Sequence, residues 1–129
     1  MSNDTQPNLD RLAAQHAQAI IKHTADKKAS DVDNTVTKAL GVLQENGVYA
    51  CFLYLLAKEK ENGDVVVEEM LNLLAGLGFG WGKPNDSGAE EVLRHISDKV
   101  TVDLERLLLA KETLEQMLIY ARYGAKARS

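Results

Sequence analysis

One cysteine, Cys51, stands in a chain of 129 residues. A lone thiol excludes an internal disulfide and any multi-cysteine zinc site, and nothing suggests an oxidising compartment. No apolar stretch is long enough for a bilayer: the longest uncharged run, Val48 to Ala57, has ten residues, about half of what spans one. The opening, Met1-Ser-Asn-Asp-Thr-Gln-Pro7, has no basic region followed by an apolar stretch. No signal peptide is expected, and the protein is read as cytoplasmic, with no membrane partner. An excess of positive charge is also missing. Fifteen Lys plus Arg against nineteen Asp plus Glu give −4 and a sequence pI near 5.3, so general electrostatic affinity for polyanions is not expected.

What is present is an ordinary soluble composition, 45% hydrophobic and 26% charged, at the length of one domain. Surface scaling gives roughly 6,800 Å² exposed when folded against about 20,600 Å² unfolded, enough burial for a core without staples.

The apolar spacing is helical nearly throughout. Leu9, Leu12, Ala13, Ala17, Ile20 and Ile21 recur every three or four residues, which predicts an amphipathic helix from Leu9 to about Lys28, with Asn8 as cap. A second helix is expected from Ser30-Asp31 to the Asn46-Gly47 corner, with Val32, Val36, Ala39, Leu40 and Leu43 on one face. Val48 to Ala57 is apolar all round and reads as a central helix packed on most sides. A charged turn, residues 58–63, follows. Asp64 to Ala75 favours helix, although Val65-Val66-Val67 would also suit a short strand. Residues 76–88, with Gly at 76, 78, 80, 82 and 88, form a loop. Ser87 and Glu90 have capping-box spacing for a short helix through Val92, Leu93 and Ile96. Leu104, Leu107, Leu108, Leu114, Met117, Leu118 and Ala121 mark the longest helix, starting near Thr101-Val-Asp103. The expected fold is therefore all-α, a single compact bundle of five to seven helices without significant β-sheet. Residues 1–7 read as a flexible segment and 124–129 as a basic tail.

The chemical motifs mostly fail. A phosphate loop needs glycine where this chain has Leu77 and a hydroxyl residue where it has Pro84. The dinucleotide pattern meets Trp81 or Lys83 where its third glycine belongs, and no strand precedes it. Two readings of the loop stay open. It is a connector pinned to the core by Leu77, Phe79 and Trp81, or Phe79 and Trp81 are a contact surface for a partner chain or unstacked bases.

His16 and His23 lie seven apart and cannot chelate one ion as an i,i+4 pair would. Glu91 and His95 have that spacing but lack further ligands. Exposed or half-buried histidines are expected, with no metal and no cofactor. Cys51 reads as an inert core thiol. The carboxylates Glu59, Glu61, Asp64, Glu68 and Glu69 read as solvated faces, leaving no sheltered acid–base pair. The chain is not expected to be an enzyme or to take a small-molecule substrate. Its charge is uneven, basic toward both ends and acidic between, so it could fold into one basic face; ordinary solubilising charge is the plainer account of any single residue.

Two stretches together resemble a known family. One is Lys38-Ala-Leu-Gly-Val-Leu-Gln-Glu-Asn-Gly-Val-Tyr-Ala-Cys-Phe-Leu-Tyr-Leu-Leu-Ala-Lys58. The other is Ala110-Lys-Glu-Thr-Leu-Glu-Gln-Met-Leu-Ile-Tyr-Ala-Arg-Tyr-Gly-Ala-Lys-Ala127. In order and spacing they are similar to the small helical subunit of type III-B CRISPR RNA-targeting (Cmr) effector complexes. The resemblance implies a compact, non-catalytic subunit that stacks with copies of itself and with other effector subunits. The resulting filament lies along the guide-RNA assembly and helps to hold target RNA. It also implies RNA-contacting roles for Lys22, Lys28, Arg122 and Lys126. The rival class is a helical protein–protein adaptor or dimeric scaffold with no nucleic-acid role.

Overall fold

The computed structural model describes residues 7–128, so the expectation for residues 1–6 and for Ser129 falls outside the described residues. Six α-helices follow in order: α1 (Leu9–His23), α2 (Ala29–Asn46), α3 (Val48–Lys58), α4 (Glu61–Ala75), α5 (Ala89–His95) and α6 (Leu104–Arg128). A π-helical turn, Ile96–Val100, prolongs α5. There is no strand among the described residues, and Val65-Val66-Val67 lies inside α4. The molecule exposes 7057 Å², close to what the scaling law gives for this mass.

α6 is the spine. α1 runs beside it in the same direction, beginning near Leu109, Thr113 and Gln116 and ending near Gly124 and Arg128. A Cβ on Gly124 would lie 2.9 Å from Ile21 Cγ1, so the absence of a side chain there lets the two helices close. On the other side α2 starts by the last turns of α6, where Lys126 meets Asp33, and runs back along it. α4 lies antiparallel to α1: Glu61 meets Lys27, Glu69 meets His16, and Gly76 meets Leu12. α3 fills the space between α2 and α4.

The expected apolar stripes form one continuous core. Ile20, Leu43, Phe52, Leu55, Met70, Leu74, Leu114, Met117 and Leu118 are essentially fully buried, each contributing about 1.5–3 kcal/mol by removal from water. Asn8 caps α1, its Oδ1 accepting from Arg11 N at 3.0 Å.

Five expectations need correction. α1 stops at His23 rather than near Lys28, because Thr24 turns its hydroxyl onto the Ile20 carbonyl at 2.7 Å and the chain bends toward α2. α4 takes in Glu61, Asn62 and Gly63, which the sequence assigned to a turn. The Ser87–Glu90 capping box does not form; Gly88 is the cap, and its N–H donates to Asp86 Oδ1 at 2.8 Å, a tighter local ring. α3 is not enclosed on most sides, since Tyr49 and Leu53 are 40% and 45% exposed. In α6, Leu104 and Leu108 are also exposed, because its first turns project beyond the start of α1.

Candidate functional site

Lys22 near the end of α1, Lys28 at the cap of α2 and Arg122, Lys126 and Arg128 in the last turns of α6 lie at one end of the bundle. α1 ends there with its last carbonyls pointing outward, as every helix C-terminus does. The Arg128 guanidinium donates to three of the carbonyls at that corner: Ile21 at 3.3 Å, Thr24 at 3.0 Å and Lys27 at 2.8 Å. A cation there also complements the negative end of the helix dipole. The segment read as a basic tail is therefore helical through Arg128 and docked onto α1.

The four residues singled out for RNA contact have different fates at this end. Lys126 Nζ donates to Asp33 Oδ2 at 3.0 Å. Asp33 Oδ1 accepts from Thr37 Oγ1, also at 3.0 Å. These two hydrogen bonds, with the Lys126 and Arg122 charges, hold the Asp33 carboxyl below its ordinary range. Arg122 is half-buried, and its Nε has no hydrogen-bond partner among the described residues. Lys22 and Lys28 are exposed, Lys22 on the rim of the α1–α6 groove and Lys28 at the cap of α2.

The glycine loop is folded inward at alternate residues. Gly78, Gly80 and Gly82 take φ of +86°, +78° and +64°, a region L side chains rarely adopt. Of the apolar residues that alternate with them, Leu77 and Trp81 are 2% and 8% exposed and Phe79 is half-buried. The Phe79 and Trp81 rings meet edge-on, centroids 5.0 Å apart, and the Arg106 guanidinium covers the Phe79 ring at 5.2 Å. This geometry is that of the connector reading. Little of the Trp81 surface is left for a partner.

Sequence reasoning missed a buried polar cluster. Glu69, assigned to a solvated face, is 5% exposed. Its Oε1 lies 2.8 Å from His16 Nδ1 and its Oε2 lies 3.7 Å from His23 Nδ1. The signal was present: Val66, Glu69, Met70 and Leu73 fall at i, i+3, i+4 and i+7, so Glu69 belongs to the apolar stripe. Glu59 is likewise no free turn residue; it accepts from Thr35 Oγ1 at 2.8 Å and from Tyr54 OH at 3.0 Å. Burial, and then the Glu59 carboxylate, raise the Tyr54 hydroxyl. His95 is buried rather than exposed or half-buried. Burial first, and the Lys99 charge second, lower its pKa, against a hydrogen bond to the Gly82 backbone.

Cys51 is the core thiol expected. Burial pushes it up to about 12, and its Sγ donates to the Ala39 carbonyl at 3.4 Å. Among the described residues no three His, Cys, Asp or Glu are grouped to hold a metal. No helix among the described residues is long and apolar enough to cross a membrane. No family model, curated protein or solved structure matches the chain.

Proposed function

We propose that this chain is a non-catalytic small helical subunit of a type III-B CRISPR RNA-guided effector complex. In this reading it acts in the cytoplasm in antiviral defence, packs in a filament with copies of itself and other subunits, and helps to hold target RNA. The observation that carries the reading is the convergence of Lys22, Lys28, Arg122 and Lys126 at one end of the bundle, from α1, the cap of α2 and α6. Residues 22–33 and 122–128 together contribute six Lys or Arg against three Asp. That is a local cationic surface on a net acidic chain, and phosphate contact needs only local charge.

The geometry also ranks the four. Lys22 and Lys28 are the direct phosphate donors. Lys126 reaches RNA only in competition with Asp33, whose carboxylate it already engages, and the Arg122 charge is offset in part by the same carboxylate. The isolated chain therefore has weak, salt-sensitive RNA affinity, and tight association comes from many such patches acting together.

The test is target-RNA affinity of the assembled complex across a salt series. Lys22→Glu with Lys28→Glu is expected to weaken binding and flatten the salt slope by roughly one for each lysine–phosphate pairing removed. Asp33→Asn is expected to strengthen binding. Unchanged affinity in both would overturn the assignment of these residues. Mild, low-salt affinity capture of the chain from the cells that make it, yielding neither effector subunits nor guide-length RNA, would overturn the reading itself. The adaptor reading is favoured by a different observation: Val102, Leu104 and Leu108 at the start of α6 are 73%, 68% and 52% exposed, an apolar strip suited to a protein partner.

A further inference from the structure

His95 makes a demand that the fold does not meet. Its side chain is buried, the residue being 7% exposed, and its Nε2 has no hydrogen-bond partner among the described residues. The Gly82 backbone shares with the ring a hydrogen bond that favours the charged form. In such a bond the ring donates to a carbonyl, and with Nε2 unpartnered the donor is Nδ1. Burial first, and then the Lys99 charge, favour the neutral ring. A neutral imidazole with its proton on Nδ1 holds a bare lone pair at Nε2. Buried polar atoms in folded proteins nearly always have a partner, so this one calls for a donor from outside the chain.

His95 lines a cavity of about 310 Å³ between the glycine loop and the turn that follows α5, a volume at the lower end for small-molecule sites. Two backbone features build it. Positive φ at Gly80 and Gly82 turns Trp81 inward and brings the Gly82 backbone to the His95 ring. The π-helical turn Ile96–Val100, closed by Thr101 N donating to the Ile96 carbonyl at 3.1 Å, brings Asp98 and Lys99 to the same cavity. Such turns are rare and recur at functional sites. The charges around the cavity sort into paired and unpaired. Arg94 is held by Glu91 and, at 3.2 Å, by Glu90. Lys83 lies 3.5 Å from Glu68. Asp98 and Lys99, both exposed, form no ion pair among the described residues; Asp98 Oδ1 accepts only from Ser97 Oγ, at 3.4 Å. These cations and carboxylates leave no excess of positive charge to select a simple anion. The Lys99 charge beside His95 disfavours a metal ion on Nε2.

We propose that this cavity binds a free α-amino acid with an apolar side chain. Its ammonium group donates to His95 Nε2 and to Asp98, and its carboxylate meets Lys99. Its side chain lies against Trp81 and Pro84, the carbon-rich part of the lining. A zwitterion supplies in one molecule the donor that Nε2 lacks and an opposite charge for each unpaired side chain. The cavity lies near the start of α6, where Arg106 covers the neighbouring Phe79 ring. Lys22 and Lys28 lie by the other end of that helix, which is 25 residues, or about 37 Å, long. The proposal therefore does not rest on the effector-subunit reading.

Titration of the full chain with L-leucine at neutral pH, followed by calorimetry and by NMR shifts, tests this. Leucine is expected to bind saturably. Leucinamide, which lacks the carboxylate, and N-acetylleucine, which lacks the ammonium, are each expected to bind at least roughly tenfold more weakly, one charge-assisted contact being lost in each. Lys99→Ala should weaken leucine binding roughly tenfold and leave leucinamide binding unchanged. Asp98→Asn should weaken leucine binding similarly and leave N-acetylleucine binding unchanged. Both substitutions fall at exposed positions, so the fold survives them. In a long-range 1H–15N spectrum the His95 Nε2 signal should move on saturation while those of His16 and His23 stay. No saturable response to leucine overturns the proposal. So does equal binding of either derivative, unchanged leucine affinity in either variant, or a His95 signal that does not move.

Discussion

His16 and Glu69, 53 positions apart in the chain, join α1 to α4 through a 2.8 Å contact between Nδ1 and Oε1. The carboxylate is 5% exposed, and a carboxylate taken so far from water is tolerable only when its oxygens find donors. Glu69→Ala removes the acceptor and leaves His16 facing an apolar gap, at an expected cost of about 1–3 kcal/mol in urea unfolding. The neighbouring exposed Glu68→Ala should stay within about 0.5 kcal/mol. A double-mutant cycle with His16→Ala should be clearly non-additive.

Trp81→Ala should destabilise the fold by about 3–5 kcal/mol, the range for deleting a large buried aromatic. Phe79→Ala should cost less, since that ring is only half-buried. Thermal and urea unfolding measure both. Full stability combined with lost partner binding would instead mark Trp81 as a contact residue.

His95 makes stability depend on pH. Its folded pKa is lowered, chiefly by burial, while in the unfolded chain it titrates near the ordinary value of about 6.5. Below that value the unfolded state binds the proton more readily, so stability falls as pH falls through the window beneath it. Above it His95 contributes no slope. The expected result is a urea midpoint that declines on acidification, and a shallower decline in His95→Gln.

Arg128→Ala should fray the corner between α1 and α2. Three carbonyls lose a charged donor, for an expected loss of about 1–3 kcal/mol. Amide hydrogen exchange should quicken in the last turn of α6 and at Ala25 and Lys27. Arg128→Lys should restore little, because an ammonium cannot reach the spread carbonyls as a planar fork does.

Cys51 should be silent to thiol reagents in the folded protein. With the thiol pushed up to about 12 and fully buried, no reactive thiolate forms near neutral pH. Labelling should proceed only at the rate of unfolding and accelerate in urea.

The helices were legible because each carries a stripe at helical spacing: Val32, Val36, Ala39, Leu40 and Leu43 are all buried. So was the loop, whose glycines occupy the positive-φ positions at 78, 80 and 82. Less legible was everything that depends on which stripe meets which. Glu69 lies on a stripe that could be found from spacing alone, but its partner His16 belongs to another helix that no local pattern connects to it. The convergence of Lys22, Lys28, Arg122 and Lys126 likewise depends on α1 and α6 running in the same direction. The exposure of Leu104 and Leu108 depends on where α1 begins along α6, which no residue in α6 records.

The pairing of α1 with α6 also sets an order of events on the ribosome. Ala13, Ala17 and Ile20 are buried on a core whose largest α1 partner is α6, and α6 starts 81 residues after α1 ends. At roughly 5–20 residues per second of synthesis, α1 waits about 4–16 s for its main partner to be made. α2, α3 and α4 need no such delay to meet one another. Until α6 emerges, α1 is covered only by α4 and α2 only by α3 and α4, so the sides of α1 and α2 that face α6 are the surfaces a nascent chain shows longest to chaperones.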